Sequence, residues 1–307
     1  MYSLFLDVLG KVVILFLMIL AGYACGKRGL VTDAGAKQIT SILFWVVTPS
    51  LTVASLQETI GKVRFSELLE CGGLSVLCVL AGILVSLPFF RRSPPEKGGL
   101  LRFAAAYSNC GFMGLPLAQA VLGDTGVAYA AMFISVFNLF CWTHGVASIR
   151  GKGRIELRKA LVNPGTCGLA AGLLLFAFSL RLPEILLAPL SYLADLNTPL
   201  AMLVIGVYIA QIPLRELFGT PELYGLSAAR LLLIPAVCFF IVLPFHADRA
   251  VATTVLVLSS APAAANTVML GAQLGGDTVL GSKAVAVTTL FSALTMPLFA
   301  ALAGAFY

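Results

Sequence analysis

The sequence predicts an all-α membrane protein of ten transmembrane helices, arranged as two five-helix repeats of opposite orientation. Three observations carry this. Of 307 residues, 59% are hydrophobic and 11% charged, with a mean hydropathy of +0.98; soluble domains carry about 25% charged residues, which excludes a soluble globular fold. Apolar segments of roughly 20 residues, the length that crosses a bilayer, recur along the chain. Two of them are interrupted, at 108–116 and at 259–266, by residues that a lipid-facing helix should not contain.

The first span, 5–25, has Asp7 and Lys11 ahead of its apolar run, where a cleavable signal would begin purely positive. Leu20-Ala21-Gly22 is followed by Tyr23 and not by Cys, so a lipoprotein reading fails too. The second, 36–56, contains Thr48-Pro49, and the third, 67–90, holds Glu67 and Glu70 near its end. The fourth, 100–121, opens with Arg102, whose stem can snorkel to the interface. It contains Asn109-Cys110-Gly111-Phe112-Met113-Gly114-Leu115-Pro116. Gly111 and Gly114 loosen the backbone, Pro116 removes a donor and clashes with the preceding turn, and Asn109 adds an amide that lipid cannot satisfy. Such a break is tolerated only where the freed groups face protein or a water-filled cavity. The fifth span is 126–149.

The sixth span, 161–180, begins at Asn163-Pro164, and the seventh, 186–212, carries Asp195 near its start and Thr198-Pro199 within it. Isolated Pro49, Pro199, Pro244 and Pro297 read as kinks, since Pro is common in membrane helices. The eighth span, 226–244, places Arg230 about a turn inside, where it reads as interfacial. The ninth, 250–272, contains Ser259-Ser260-Ala261-Pro262 and Asn266, and the tenth is 284–306. No carboxylate falls at mid-span as a proton relay.

Lys27, Arg28, Lys37, Arg91, Arg92, Lys97, Arg150, Lys152, Arg154, Arg158 and Lys159 follow the first, third and fifth spans. The loops after the second, fourth, sixth and eighth hold only Lys62, Arg64, Arg181 and Arg249. Basic loops stay in the cytoplasm, so both termini are expected outside. The net charge of +6 thus reflects topology, and no nucleic-acid partner is expected. All seven cysteines fall in spans without a Cys-x-x-Cys pair, and with two histidines there is no metal-site pattern. No cofactor is expected.

The halves echo each other. Leu117-Ala-Gln-Ala-Val-Leu-Gly123-Asp124-Thr125 returns as Leu270-Gly-Ala-Gln-Leu-Gly-Gly276-Asp277-Thr278, and Thr48-Pro49 as Thr198-Pro199. Five spans per copy is odd, so the second copy, 151–307, enters the membrane opposite to the first, 1–150. Interrupted segments at corresponding positions of two inverted halves point to a transporter's substrate site.

The run Asn109-Cys110-Gly111-Phe112-Met113-Gly114-Leu115-Pro116-Leu-Ala resembles the helix 4 signature of the auxin efflux carrier family. Asn163-Pro164, Thr198-Pro199-Leu-Ala-Met, Arg230-Leu-Leu-Leu-Ile-Pro235, Ala261-Pro262-Ala-Ala-Ala-Asn266, Thr288-Thr289-Leu and Thr295-Met-Pro297 add to it. The resemblance implies a scaffold from spans 1, 2, 6 and 7, a mobile domain from the rest, and spans 4 and 9 crossing at their breaks with substrate alongside. It also implies organic-anion substrates. The long cytoplasmic loop of many plant members is absent.

Asn109, Gly111, Gly114, Pro116, Ser259, Ser260, Pro262 and Asn266 are the candidate substrate-binding residues. The expected function is secondary transport of a small organic anion, auxin-like or a small carboxylate, across the plasma (cell inner) membrane by alternating access. A bile-acid:sodium-symporter-like carrier and a non-transporting receptor on a carrier fold are the alternatives. The coupling ion is open between a proton, sodium and none, and so is the oligomeric state, a homodimer included. Enzyme readings find no His-Glu-x-x-His, Gly-x-Ser-x-Gly or Walker motif.

Gly151→Cys and Tyr307→Cys test the orientation. A membrane-impermeant thiol reagent added to intact cells should label position 307 and spare 151; the reverse pattern would overturn the topology and the repeat with it.

Overall fold

A computed structural model describes residues 2–91, 93–150, 164–213, 219–274 and 276–306. The basic segment 151–160, with Asn163, lies outside the described residues, as does Tyr307. The described residues form α1 (Tyr2–Lys27), α2 (Asp33–Glu58), α3 (Phe65–Ser86), α4 (Pro95–Ala106), α5 (Cys110–Ile149), α6 (Pro164–Ala177), α7 (Glu184–Ala210), α8 (Glu222–Phe245), α9 (Arg249–Ser260), α10 (Asn266–Leu274) and α11 (Thr278–Phe306). They contain no strand beyond one isolated bridge.

Among the described residues, seven helical stretches are long and apolar enough to cross a membrane: Leu9–Lys27, Asp33–Glu58, Phe65–Ser86, Cys110–Ile149, Glu184–Ala210, Glu222–Phe245 and Val279–Phe306. With exposed Leu17, Trp45, Leu84, Phe240 and Leu294 along their outsides, they make this an integral membrane protein. The α6 and α9 helices are apolar but only 14 and 12 residues long. The expected fourth and ninth spans are each divided, at 107–109 between α4 and α5 and at 261–265 between α9 and α10.

The long α5 is not one rod. Gly123 has φ 63°, a conformation that L side chains resist, and the chain folds back there. A Cβ on Gly126 would lie 2.5 Å from the Ala118 carbonyl oxygen, a position a continuous helix would hold about 12 Å away. Lys11 of α1 donates to the Ala120 carbonyl and so places a cation at the C-terminal end of the segment before that turn.

Three π turns, Leu43–Val47, Cys110–Gly114 and Ala229–Leu233, each end two residues before a proline: Pro49, Pro116 and Pro235. Proline cannot donate to the helix and clashes with the carbonyl four residues back. One extra residue in the preceding turn moves that carbonyl aside and lets the helix run on. A fourth π turn, Cys141–Gly145, has no following proline.

Close helix contacts run through small residues, as expected where lipid supplies no hydrophobic drive for helices to associate. Gly22 and Gly26 of α1 lie on Leu203, Val207 and Ala210 of α7, and Gly206 lies against the backbone at Ile19 and Tyr23. Gly168 and Gly172 of α6 face Pro49 and Leu56 of α2. The α4, α5, α8, α9 and α11 helices gather around the two interruptions.

Gly206→Ala should cost about 1–3 kcal/mol, because its methyl would enter the α1 backbone. Gly10→Ala, where a Cβ meets nothing within 4 Å, should stay within about 0.5 kcal/mol. Melting temperatures of the detergent-solubilised variants would check both.

Candidate functional site

The two interruptions pair with each other. Ser108 and Ala263 form an antiparallel bridge in which Asn109 N–H donates to the Pro262 carbonyl at 2.6 Å and Ala264 N–H donates to the Tyr107 carbonyl at 2.9 Å. Backbone groups freed by the breaks therefore satisfy one another, which the membrane interior demands. Thr288 of α11 adds a third tie, accepting Ala263 N–H at 3.1 Å. The bridge pairs residues 155 apart, whereas the Gly-Asp-Thr echoes lie 153 apart, so the halves differ by two residues between the breaks and those turns.

Each interruption leaves a helix C-terminus on one side and a helix N-terminus on the other. The C-terminal ends of α4 and α9 converge on Arg230, which is 1% exposed. Its Nη1 donates to the Ala105 and Ala106 carbonyls at 3.1 and 3.2 Å, and its Nη2 donates to the Ser259 carbonyl. Each helix end carries about half a negative charge, so two ends balance one guanidinium. The interfacial reading of Arg230 is thereby corrected. The eighth helix begins at Glu222, four residues earlier than the sequence suggests, which puts Arg230 about 12 Å along it and inside the helix packing. Beside it lies a cavity of about 10 Å³, lined by Cys78, Ser108, Phe137, Cys238 and Ser259. Arg230 Nε and Ser259 Oγ have no protein partner, and the space suits about one water.

The N-terminal ends face α7. The Cys110–Gly114 turn packs against the Asn197–Ala210 part of α7. Ala265 and Val268, at the start of α10, border a cavity of about 20 Å³ with Ile205, Tyr208 and Ile209. The first N–H groups of each second half, at Cys110 and Gly111 and again at Asn266, precede any intrahelical acceptor.

Against this frame the eight sequence candidates separate. Asn109 caps the π turn with Oδ1 to Phe112 N–H, while its buried Nδ2 has no partner. A Cβ on Gly111 would meet nothing, and Asn266 opens α10 with Nδ2 3.8 Å from Cys141 Sγ. These three line the N-terminal side. Pro262 supplies the bridge carbonyl, and Ser259 faces Arg230. Gly114 lies 3.0–3.3 Å from Leu258 through its missing Cβ, Pro116 is buried just past the π turn, and Ser260 Oγ bonds back to the Val257 carbonyl. Those three serve packing. Tyr107 and His144 went unnoticed as a pair, being 37 residues apart in the chain; Tyr107 Oη lies 3.0 Å from His144 Nδ1 and donates to the Phe140 carbonyl at 2.9 Å.

The family described as membrane transport protein matches this chain twice in succession, over residues 7–157 and 152–300. An uncharacterized transporter of Methanocaldococcus jannaschii is 28% identical over 309 aligned positions, covering 94% of this chain and 96% of that protein. A protein of Rhizobium meliloti named "Putative malonate transporter" is 25% identical over 308, covering 94% of each.

Arg230→Met would leave three buried carbonyls without a donor, at about 1–3 kcal/mol each. We expect a loss of about 3 kcal/mol or more in stability, against less than about 0.5 kcal/mol for exposed Lys62→Ala. Chemical or thermal unfolding of the two variants separates them.

Proposed function

We propose that this chain, which belongs to the membrane transport protein family that includes the auxin efflux carriers, is a secondary transporter of a small organic anion. The observation that carries the reading is the division of charge at the paired interruptions. Arg230 already occupies both carbonyl ends, so the groups left for a ligand are N–H donors at the positive ends of two half-helices. An unpaired amide donor, Asn109 Nδ2, lies with them. Such a site favours a carboxylate over a free cation. A small dicarboxylate such as malonate is the first substrate to try, as the name of the Rhizobium meliloti relative suggests.

The same reading takes the ten sequence segments as spans of two inverted repeats, 1–150 and 151–307, in line with the two successive family matches. In it, α1, α2, α6 and α7 form the scaffold, a grouping favoured by the glycine contacts of α1 with α7 and of α6 with α2. The remaining helices carry the interruptions. The cavities beside them hold about 10 and 20 Å³, too small for a carboxylate, so loading requires α7 and the interruptions to part. Movement of one unit against the other around a fixed site is the alternating access that inverted repeats support.

Liposomes containing the purified protein should take up malonate or a related small carboxylate, and matched organic amines should compete poorly. Asn109→Ala should remain folded and lose about 10–100-fold in affinity, the value of a hydrogen bond to a charged group. Pro262→Ala, which lets α9 continue, should lose flux while holding or raising its melting temperature. Wild-type flux in both variants, or stronger competition by amines than by carboxylates, would refute the site.

A further inference from the structure

The Cys141–Gly145 π turn of α5 touches both interruptions. Through His144 Nδ1 it meets Tyr107, the first residue of the first break, whose carbonyl receives Ala264 N–H from the second. Through Cys141 Sγ it meets Asn266 Nδ2 at the start of α10. Among the described residues no other group in contact with the pair changes its charge near neutral pH: Arg230 stays protonated, and the second histidine, His246, lies at the end of α8.

The hydrogen-bond order fixes which nitrogen is available. The Phe140 carbonyl can only accept, so it takes the Tyr107 hydroxyl hydrogen. The Tyr107 oxygen then accepts from His144 Nδ1–H, and the ring is held with Nε2 as its free lone pair. His144 is partly exposed. The titratable groups facing it are Tyr107, just past α4, and Cys141 of its own turn, with Cys110 behind Cys141; Arg102 of α4 reaches back towards Gly98. Among the described residues no carboxylate pairs with it.

We propose that His144 is a proton-binding site of the carrier, taking up a proton on Nε2 when a carboxylate occupies the paired interruptions. The inference rests on the carboxylate reading above. An imidazolium in this interior lacks a counter-charge until the anion arrives, and the anion gains a partner once the imidazolium forms. Each therefore favours the other by the same factor, and proton and anion travel together. The bond from Nδ1 through Tyr107 to the bridge joins the protonation state to the backbone that holds the site.

The test is calorimetric binding of malonate to the purified full-length protein at about pH 8, in two buffers of different ionisation enthalpy. At that pH both malonate carboxyls are ionised and an unperturbed histidine is mostly neutral. We expect uptake of a fraction of a proton, up to about one, for each malonate bound by the wild type. His144→Asn, which keeps a donor for Tyr107 but cannot take a proton, should bind malonate more weakly with no uptake. Wild-type binding without proton uptake would overturn the proton site and leave the carboxylate reading standing, whether or not the variant folds. Uptake that persists in His144→Asn would place the proton on malonate and overturn it as well. No malonate binding by the wild type would overturn both.

Discussion

One guanidinium holds two helix ends. Breaking a helix inside a bilayer exposes carbonyls and N–H groups with no water to receive them, and doing so twice at the same place doubles the cost. Arg230 resolves half of that problem by donating to Ala105, Ala106 and Ser259. The bridge between 107–109 and 262–264 resolves much of the rest. What remains uncommitted is a set of donors. A buried charge of this kind is seldom tolerated, and here it is matched without a carboxylate by two dipoles of half its size.

The surroundings serve that arrangement. The α11 helix lends Thr288 to the bridge, and α8 carries buried Arg230 on a π turn that a proline follows. The α5 helix contributes at two places, through Asn109 capping its first turn and through His144 and Cys141 near its last. By contrast, α1 and α7 meet backbone to backbone through Gly22 and Gly206.

Much of this was legible in the sequence. Apolar length fixed where the helices run, and Gly111, Pro116 and Pro262 marked the interruptions because no lipid-facing helix has a use for them. The role of Arg230 was not legible. Its place depends on where α8 begins: a start at 226 sets it about 6 Å along the helix, and the start at Glu222 about 12 Å along. Nor could the sequence separate Gly111 from Gly114: both are glycines in one short motif, yet one faces open space and the other Leu258. The Tyr107–His144 pair was hidden because its partners meet only when α5 folds back at Gly123. The local echoes could not give the register of the bridge, since the echoes lie at the turns and the bridge lies at the breaks.

The π turns have a consequence for chain length as distinct from residue identity. Each one accommodates a residue beyond what an α-helix of the same rise would hold, and everything after it keeps its facing only because that residue is present. Removing one residue from Cys110–Gly114 would restore an ordinary turn and rotate the helix beyond it by about 100°, carrying Leu117 and Ala118 out of the core. Ala229–Leu233 has the same property, with the facing of Cys238 and Val242 at stake. At these places the fold admits exchanges of side chain far more readily than the loss or gain of a single position, and related chains should differ there in spelling but not in count.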